Sequence, residues 1–204
     1  MTPATTHLDL TLRDGTPVIV RPLVPADRNA LAEAYRQLSP DARFHRFWTR
    51  TGEMIGDAML NRILDLDPTQ HVSWTVLDPT RKFPGLGAAS WWRNANHPTE
   101  AEISITVLDR HQNRGIGTLL LAVLWLNAFN AGVESIVAYT LHENRRAAAW
   151  MKSCGATGHW DGYKLVFRWD LANLDALPTT PTAAHLAHLL ATLSPILLDG
   201  CPEK

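Results

Sequence analysis

Cysteine is scarce, and that scarcity excludes a good deal. The chain holds two, Cys154 and Cys201, too few for a disulfide framework and without the CxxC spacing of a zinc site. The nine histidines are scattered. Only His185 and His188 share a helical i,i+3 spacing, with no third ligand nearby, so no metal site is expected. Charge of one sign is lacking too. Lys plus Arg number 19 against 20 Asp plus Glu, a balance that gives no footing for a nucleic-acid backbone. No basic stretch followed by an apolar run opens the chain, so no leader is expected. The one long apolar run, Ile116 to Val133, is interrupted by Asn127 and Asn130 and closed by Gly132. A buried helix is expected there, not a membrane span.

Apolar residues are plentiful, at 46% with eight tryptophans, enough for one compact domain with a tail. Leu8, Leu10 and Leu12, the Asp14-Gly15 turn, then Val18 and Val20 predict a hairpin. Asp27 is placed to cap a helix bearing Leu31, Ala34, Tyr35 and Leu38 on one face. Ser39-Pro40 marks a second helix start, and a third helix runs through Ile55, Met59 and Ile63. The period then changes to two. Strands are expected at Val72 to Val76, Leu86 to Trp92 and Glu102 to Leu108, with a loop at Asn94 to Pro98. The buried helix, a strand at Ser135 to Leu141, a helix capped by Asn144 and ended by Gly155, and a strand at Lys164 to Leu171 follow. The fold class is α/β (α+β), a mixed central sheet with helices on both faces. Residues 1–172 form the domain. Residues 173–204 form a linker, Pro178 to Thr182, and a weakly charged helix whose apolar face suggests self-association as a homodimer or a cover for the sheet edge.

The stretch Gln112-Asn113-Arg114-Gly115-Ile116-Gly117-Thr118 lies between a strand and a helix. Glycines there let the backbone approach a ligand, and the free amides of a helix start favour phosphate. The lysine of a P-loop and the third glycine of a dinucleotide fingerprint are both missing. Ala101-Glu102-Ile103-Ser104-Ile105-Thr106-Val107 followed by this loop resembles the core strand and Q/R-x-x-G-x-G/A pyrophosphate loop of the GNAT acyl-CoA N-acyltransferases. Asn144 and Gly155 match the asparagine that opens the next helix and the glycine that ends it. Arg21-Pro22-Leu23 and Leu38-Ser39-Pro40-Asp41-Ala42-Arg43-Phe44 resemble the Pat-like branch, the bacterial protein lysine acetyltransferases.

The resemblance implies acetyl-CoA as cosubstrate and a sheet splayed at its site. Thr106, Val107 and Leu108 would pair with the pantetheine arm as an added strand. The amides of Gln112, Asn113, Arg114, Gly115, Ile116, Gly117 and Thr118 would hold the pyrophosphate, with Asn144 near the reactive end. Among the basic residues, Arg114 is a better phosphate partner than Arg145 or Arg146. An alkylammonium, pKa about 10.4, cannot attack a thioester until it loses a proton. Glu102, partly desolvated at its strand start, would accept that proton, and the amide of Val107 or Leu108 would meet the developing oxyanion. Many members carry a tyrosine as acid seven residues after the asparagine; Met151 stands there, leaving Tyr163 or Tyr139 as substitutes. Cys154 reads as a packed thiol.

Three functions stay open: acetylation of protein lysines, acetylation of a small amine or antibiotic, and non-catalytic acyl-CoA binding. A protein substrate predicts an open groove along Phe44 to Trp48. No nucleic-acid or membrane partner is expected, and the expected location is cytoplasmic.

Overall fold

The computed structural model describes residues 7–198; Cys201 lies outside them. Eight strands form a mixed sheet in the order β1-β2-β3-β4-β5-β6-β8-β7, accompanied by six helices. The strands are β1 (Leu8–Thr11), β2 (Pro17–Pro22), β3 (His71–Leu77), β4 (Gly85–Asn94), β5 (His97–Val107), β6 (Ser135–Thr140), β7 (Thr157–Trp160) and β8 (Leu165–Asp170). The helices are α1 (Arg28–Arg36), α2 (Pro40–Phe47), α3 (Asp57–Leu64), α4 (Ile116–Asn130), α5 (Arg145–Ser153) and α6 (Pro181–Leu197). The described residues divide into two compact units, one of residues 7–90 with Ile105–Leu120, the other of Trp91–Ser104 with residues 121–198.

In the first unit, β1 and β2 pair antiparallel with Leu8 opposite Val20, and β2 pairs antiparallel with β3. The turn uses Gly15 at φ +83, with Asp14 Oδ1 accepting the Thr16 amide at 3.1 Å. Asp27 precedes α1 as expected but does not cap it. Its carboxylate accepts from Arg21 at 2.7 and 2.8 Å and from the Val24 amide at 2.9 Å, and a bidentate guanidinium outcompetes a neutral amide. Ser39 does cap α2, its Oγ accepting from Ala42 at 3.1 Å with Pro40 in the first turn. Tyr35 and Leu38 pack on Leu108, joined by Ala42, Phe47 and Ile55. Gly87 is fixed by proximity: a Cβ there would lie 2.8 Å from the Thr106 carbonyl, so only glycine allows β4 this approach to the end of β5.

In the second unit, the expected loop at Asn94 to Pro98 is a two-residue turn, and β5 already begins at His97. The Asn94 side chain closes it by accepting the Asn96 amide at 3.0 Å, and Pro98 is tolerated near the strand's start. Strand β5 pairs parallel with β6 only at Glu100–Glu102 against Ser135–Val137. Strand β6 continues to Thr140 paired with β8 alone. Strand β7 went unread in the sequence. Its four residues are exposed, and Gly158 lies under the Phe167 ring, where a Cβ would come within 2.6 Å. Trp91, Ile136, Phe167 and Trp169 fill the core.

Helix α6 starts at Pro181, inside the expected linker, because Thr180 caps it and its hydroxyl also donates to the Ser153 carbonyl at 2.6 Å. Ala183, Leu186, Leu190 and Leu193 are buried, so the apolar stripe proposed for self-association is covered within the chain. No helix among the described residues is long and apolar enough to cross a membrane.

Candidate active site

The loop after β5 belongs to the first unit. Asn113 at φ 64 and Gly115 at φ 84 are both left-handed, a conformation asparagine tolerates and glycine prefers. They flank Arg114 and turn the chain into α4, whose first amides have no intrahelical acceptor. Among the described residues, the N–H groups of Gly115, Ile116 and Gly117 meet no acceptor. Unpaired amides at a helix start with left-handed corners fit a phosphate group. Thr118 is buried in the first turn of α4. Gln112 plays a different part. Its amide turns back to the Asp109 carbonyl at 3.3 Å and its side chain donates to the Val107 carbonyl at 3.1 Å, so it ties the loop to β5.

Leu108 also departs from expectation. Its amide donates to the Leu86 carbonyl at 3.0 Å, which removes it as an oxyanion donor. Strand alternation turns the Val107 amide to the opposite edge of β5. Thr106 and Val107 are half-buried.

Arg114 is a fixed charge, not a mobile one. Its Nε donates to Asp14 Oδ2 at 2.6 Å and its Nη2 to Thr16 Oγ1 at 2.5 Å. The β1–β2 turn thus clamps the loop across a separation of 100 residues, and the pair holds the Asp14 carboxyl well below the usual range. Sequence reasoning missed the surroundings. Buried His111 accepts at Nε2 from Arg81 at 2.7 Å and Arg110 at 3.0 Å, with Arg114 Nη1 3.2 Å from its Nδ1. Basic residues at 110, 111 and 114 were the available signal; Arg81, from the β3–β4 turn, carried none.

Burial, then the neighbouring arginines, push His111 below its ordinary 6.5. Burial likewise lowers His71, which bonds to the Asp65 carbonyl at 2.7 Å and Ser73 Oγ at 3.0 Å. Both folded values lie below the unfolded one, so the unfolded chain binds more protons as pH drops. Their stabilisation is complete above about pH 6.5 and is lost as pH falls toward and through the folded values. Urea midpoints should therefore fall from pH 6.5 to 5, and less steeply in His111→Gln. A midpoint that rises over that range would contradict this assignment.

In the second unit, Glu102 is exposed on β5 beside Val137, not partly desolvated as expected. Its carboxylate makes no hydrogen bond or ion pair with a described residue. Its neighbour Glu100 is different: Arg168, which also donates to Ser135 Oγ at 2.5 Å, forms an ion pair with it, and Asn94 donates to it at 2.9 Å. Tyr139, half-buried on β6, has its phenol pushed up by burial and then by Glu102 and Glu100. Asn144 caps α5, its Oδ1 accepting from Ala147 at 3.2 Å; its NH2 is not part of the cap. Arg145 and Arg146 are exposed, Met151 is buried, and Tyr163 is 69% exposed on a turn. Cys154 is fully buried. The Phe44 to Trp48 segment, in the first unit, is half-buried, and Phe47 packs on Tyr35 at 5.6 Å between ring centroids.

Residues 18–157 match the family model described as Acetyltransferase (GNAT) domain, and the chain belongs to that family, the acyl-CoA-dependent N-acetyltransferases that use acetyl-CoA as donor. It is 26% identical over 177 residues to acetyltransferase Pat of Mycolicibacterium smegmatis, covering 86% of this chain and 52% of Pat; it thus spans about half the length of that relative. Its fold is similar to the GNAT domain of S. lividans PAT, with a TM-score of 0.74, 23% identity, and 80% and 96% of the two chains covered. It is also similar to yncA of Salmonella typhimurium, solved with its cofactor acetyl-CoA, at a TM-score of 0.59, 22% identity and coverage of 76% and 94%.

A Cβ at Gly115 is strained at its positive φ by about 1–2 kcal/mol. Gly115→Ala should raise the KM for acetyl-CoA severalfold while circular dichroism stays native. An unchanged KM would remove this turn from the cofactor site.

Proposed function

We propose that this chain transfers an acetyl group from acetyl-CoA to a primary amine, the ε-amine of protein lysines, with Glu102 as general base. The observation that carries the reading is the state of the Glu102 side chain: exposed, its carboxylate without a hydrogen bond or ion pair among described residues, beside a Glu100 whose charge Arg168 answers. A carboxylate without a partner keeps its lone pairs for an incoming ammonium proton.

Bound acetyl-CoA supplies the acyl group as an activated thioester. The amides of Asn113 through Thr118 bind its pyrophosphate, and the clamped Arg114 adds a fixed positive charge. Thr106 and Val107 offer backbone to the pantetheine, and Val107 N–H is the oxyanion donor. The NH2 of Asn144 donates near the reactive end. Glu102 takes one proton from the acceptor ammonium, directly or through water, which frees the nitrogen lone pair. Met151 holds no proton to give, and Tyr139, kept protonated by its surroundings, is the better donor to the leaving sulfur than exposed Tyr163. The resemblance of Arg21-Pro22-Leu23 and of residues 38–44 to the Pat-like branch of protein lysine acetyltransferases supports lysine as acceptor.

Labelled acetyl-CoA, incubated with the chain and a soluble cell extract, tests the acceptor class. Label is expected in the macromolecular fraction on lysine side chains. Label confined to small molecules would replace this reading with a metabolite or drug acetyltransferase.

A further inference from the structure

One lysine of the chain sits on the face of an aromatic ring in the second unit. Lys164 Nζ lies 3.6 Å from the centroid of the Tyr139 ring, well inside the range in which a ring face attracts a cation. Tyr139 is two residues beyond Val137 on β6, and Val137 is paired with Glu102. Paired residues and residues two apart share a face, so the Tyr139 ring and the Glu102 carboxylate emerge on one side of this unit's sheet.

We infer that the face of Tyr139 is the seat for the acceptor's ammonium group, and that Lys164 is its displaceable occupant in the free chain. The inference deepens the proposed function and rests on its assignment of an alkylammonium acceptor. The charges around the ring favour a cation. Glu100 and Glu102 both act on Tyr139 through space. Arg168 neutralises Glu100, while Glu102 forms no ion pair among described residues. A cation on this ring therefore feels the ring quadrupole and an unneutralised carboxylate together, which selects a primary alkylammonium over a neutral or aromatic amine.

The contact with the ring is made by the side chain of Lys164, not by its backbone. The backbone of Lys164 is held in its turn by Asp161, whose Oδ1 accepts from the Tyr163 and Lys164 amides at 3.0 and 2.8 Å and whose own amide donates to the Lys164 carbonyl at 3.1 Å. Its flexible four-carbon stem can swing away while that turn stays closed.

Two readouts test the seat. With lysine labelled in carbon-13, the Lys164 ε-methylene resonance, assigned by its loss in Lys164→Met, should be shifted upfield by the Tyr139 ring. Titration with Nα-acetyl-lysine amide should return it to the position of a free lysine. Tyr139→Leu should start at that position and stay there, and in this titration Tyr139→Phe, which keeps the ring face but not the hydroxyl that the transfer step uses, should shift and return as wild type does. In steady state, Lys164→Met should lower the KM for the same amine about 2- to 30-fold, the range a cation–π contact spans, and Tyr139→Leu should raise it. A Lys164 resonance that ignores the amine, or a KM that neither variant moves, overturns the seat. A resonance that moves without any acetylated product upholds the seat and defeats the transfer reading instead.

Discussion

Glu102→Gln should lower the transfer rate about 100- to 10,000-fold, the span of general-base assistance. Affinity for acetyl-CoA should change little. Gln keeps the size of Glu but cannot accept a proton from an ammonium near neutral pH. The side chain is exposed and supports no other described residue through a hydrogen bond or ion pair, so the fold should not respond. A structural role predicts the reverse, a lower melting temperature with a proportionate loss of activity. Glu100→Gln separates the two roles. It removes the charge that answers Arg168, while its amide oxygen can still accept from Asn94, and it should cost stability before chemistry. Isothermal titration with CoA, thermal melts and initial rates on the three proteins decide the matter. Full activity in Glu102→Gln would move the base elsewhere, and CoA binding with no turnover in wild type or variant would turn the chain into a binder.

Helix α6 should prove part of the fold. Leu186 and Leu193 are fully buried and Leu190 nearly so, while Thr180 ties the helix start to the end of α5. Leu186→Ala removes packed methyl groups and leaves a cavity, at about 2–5 kcal/mol, a large part of the roughly 5–15 kcal/mol that holds a domain together. Removing residues 178–204 should leave a chain that fails to unfold cooperatively in urea. It would also expose Leu177 and the adjoining core near Gly155, where a Cβ would lie 2.8 Å from the Leu177 side chain. A truncated chain that melts like the whole one would return the helix to the status of an appendage. The same experiment by sedimentation tests self-association, which the buried stripe argues against.

Local rules explain what the sequence made legible. The Asp14-Gly15 hairpin, the Ser39 cap and the Asn144 cap each depend on residues a few positions apart, and each is found in the structure. The reading failed where a distant partner decides. Asp27 looks like a cap until Arg21 takes its carboxylate. Arg114 is legible as a phosphate candidate, but not the β1–β2 turn that clamps it from 100 residues away. Leu108 looks like an open amide until β4 pairs with it. Strand β7 has no apolar alternation, and the reason for Gly158 lies in a ring on the neighbouring strand. The candidate base was legible through family resemblance, but its exposure and its lack of a partner were not. Nor was the pairing of Arg168 with Glu100, two residues from Glu102 on the same strand.

The most direct test is stoichiometric. The whole chain, acetyl-CoA and a lysine-containing peptide should release one CoA thiol for each acetyl-lysine found by mass spectrometry, and Glu102→Gln should suppress both together. Thiol release without acetyl-lysine, or CoA binding with neither product, would contradict amine acetylation by this chain.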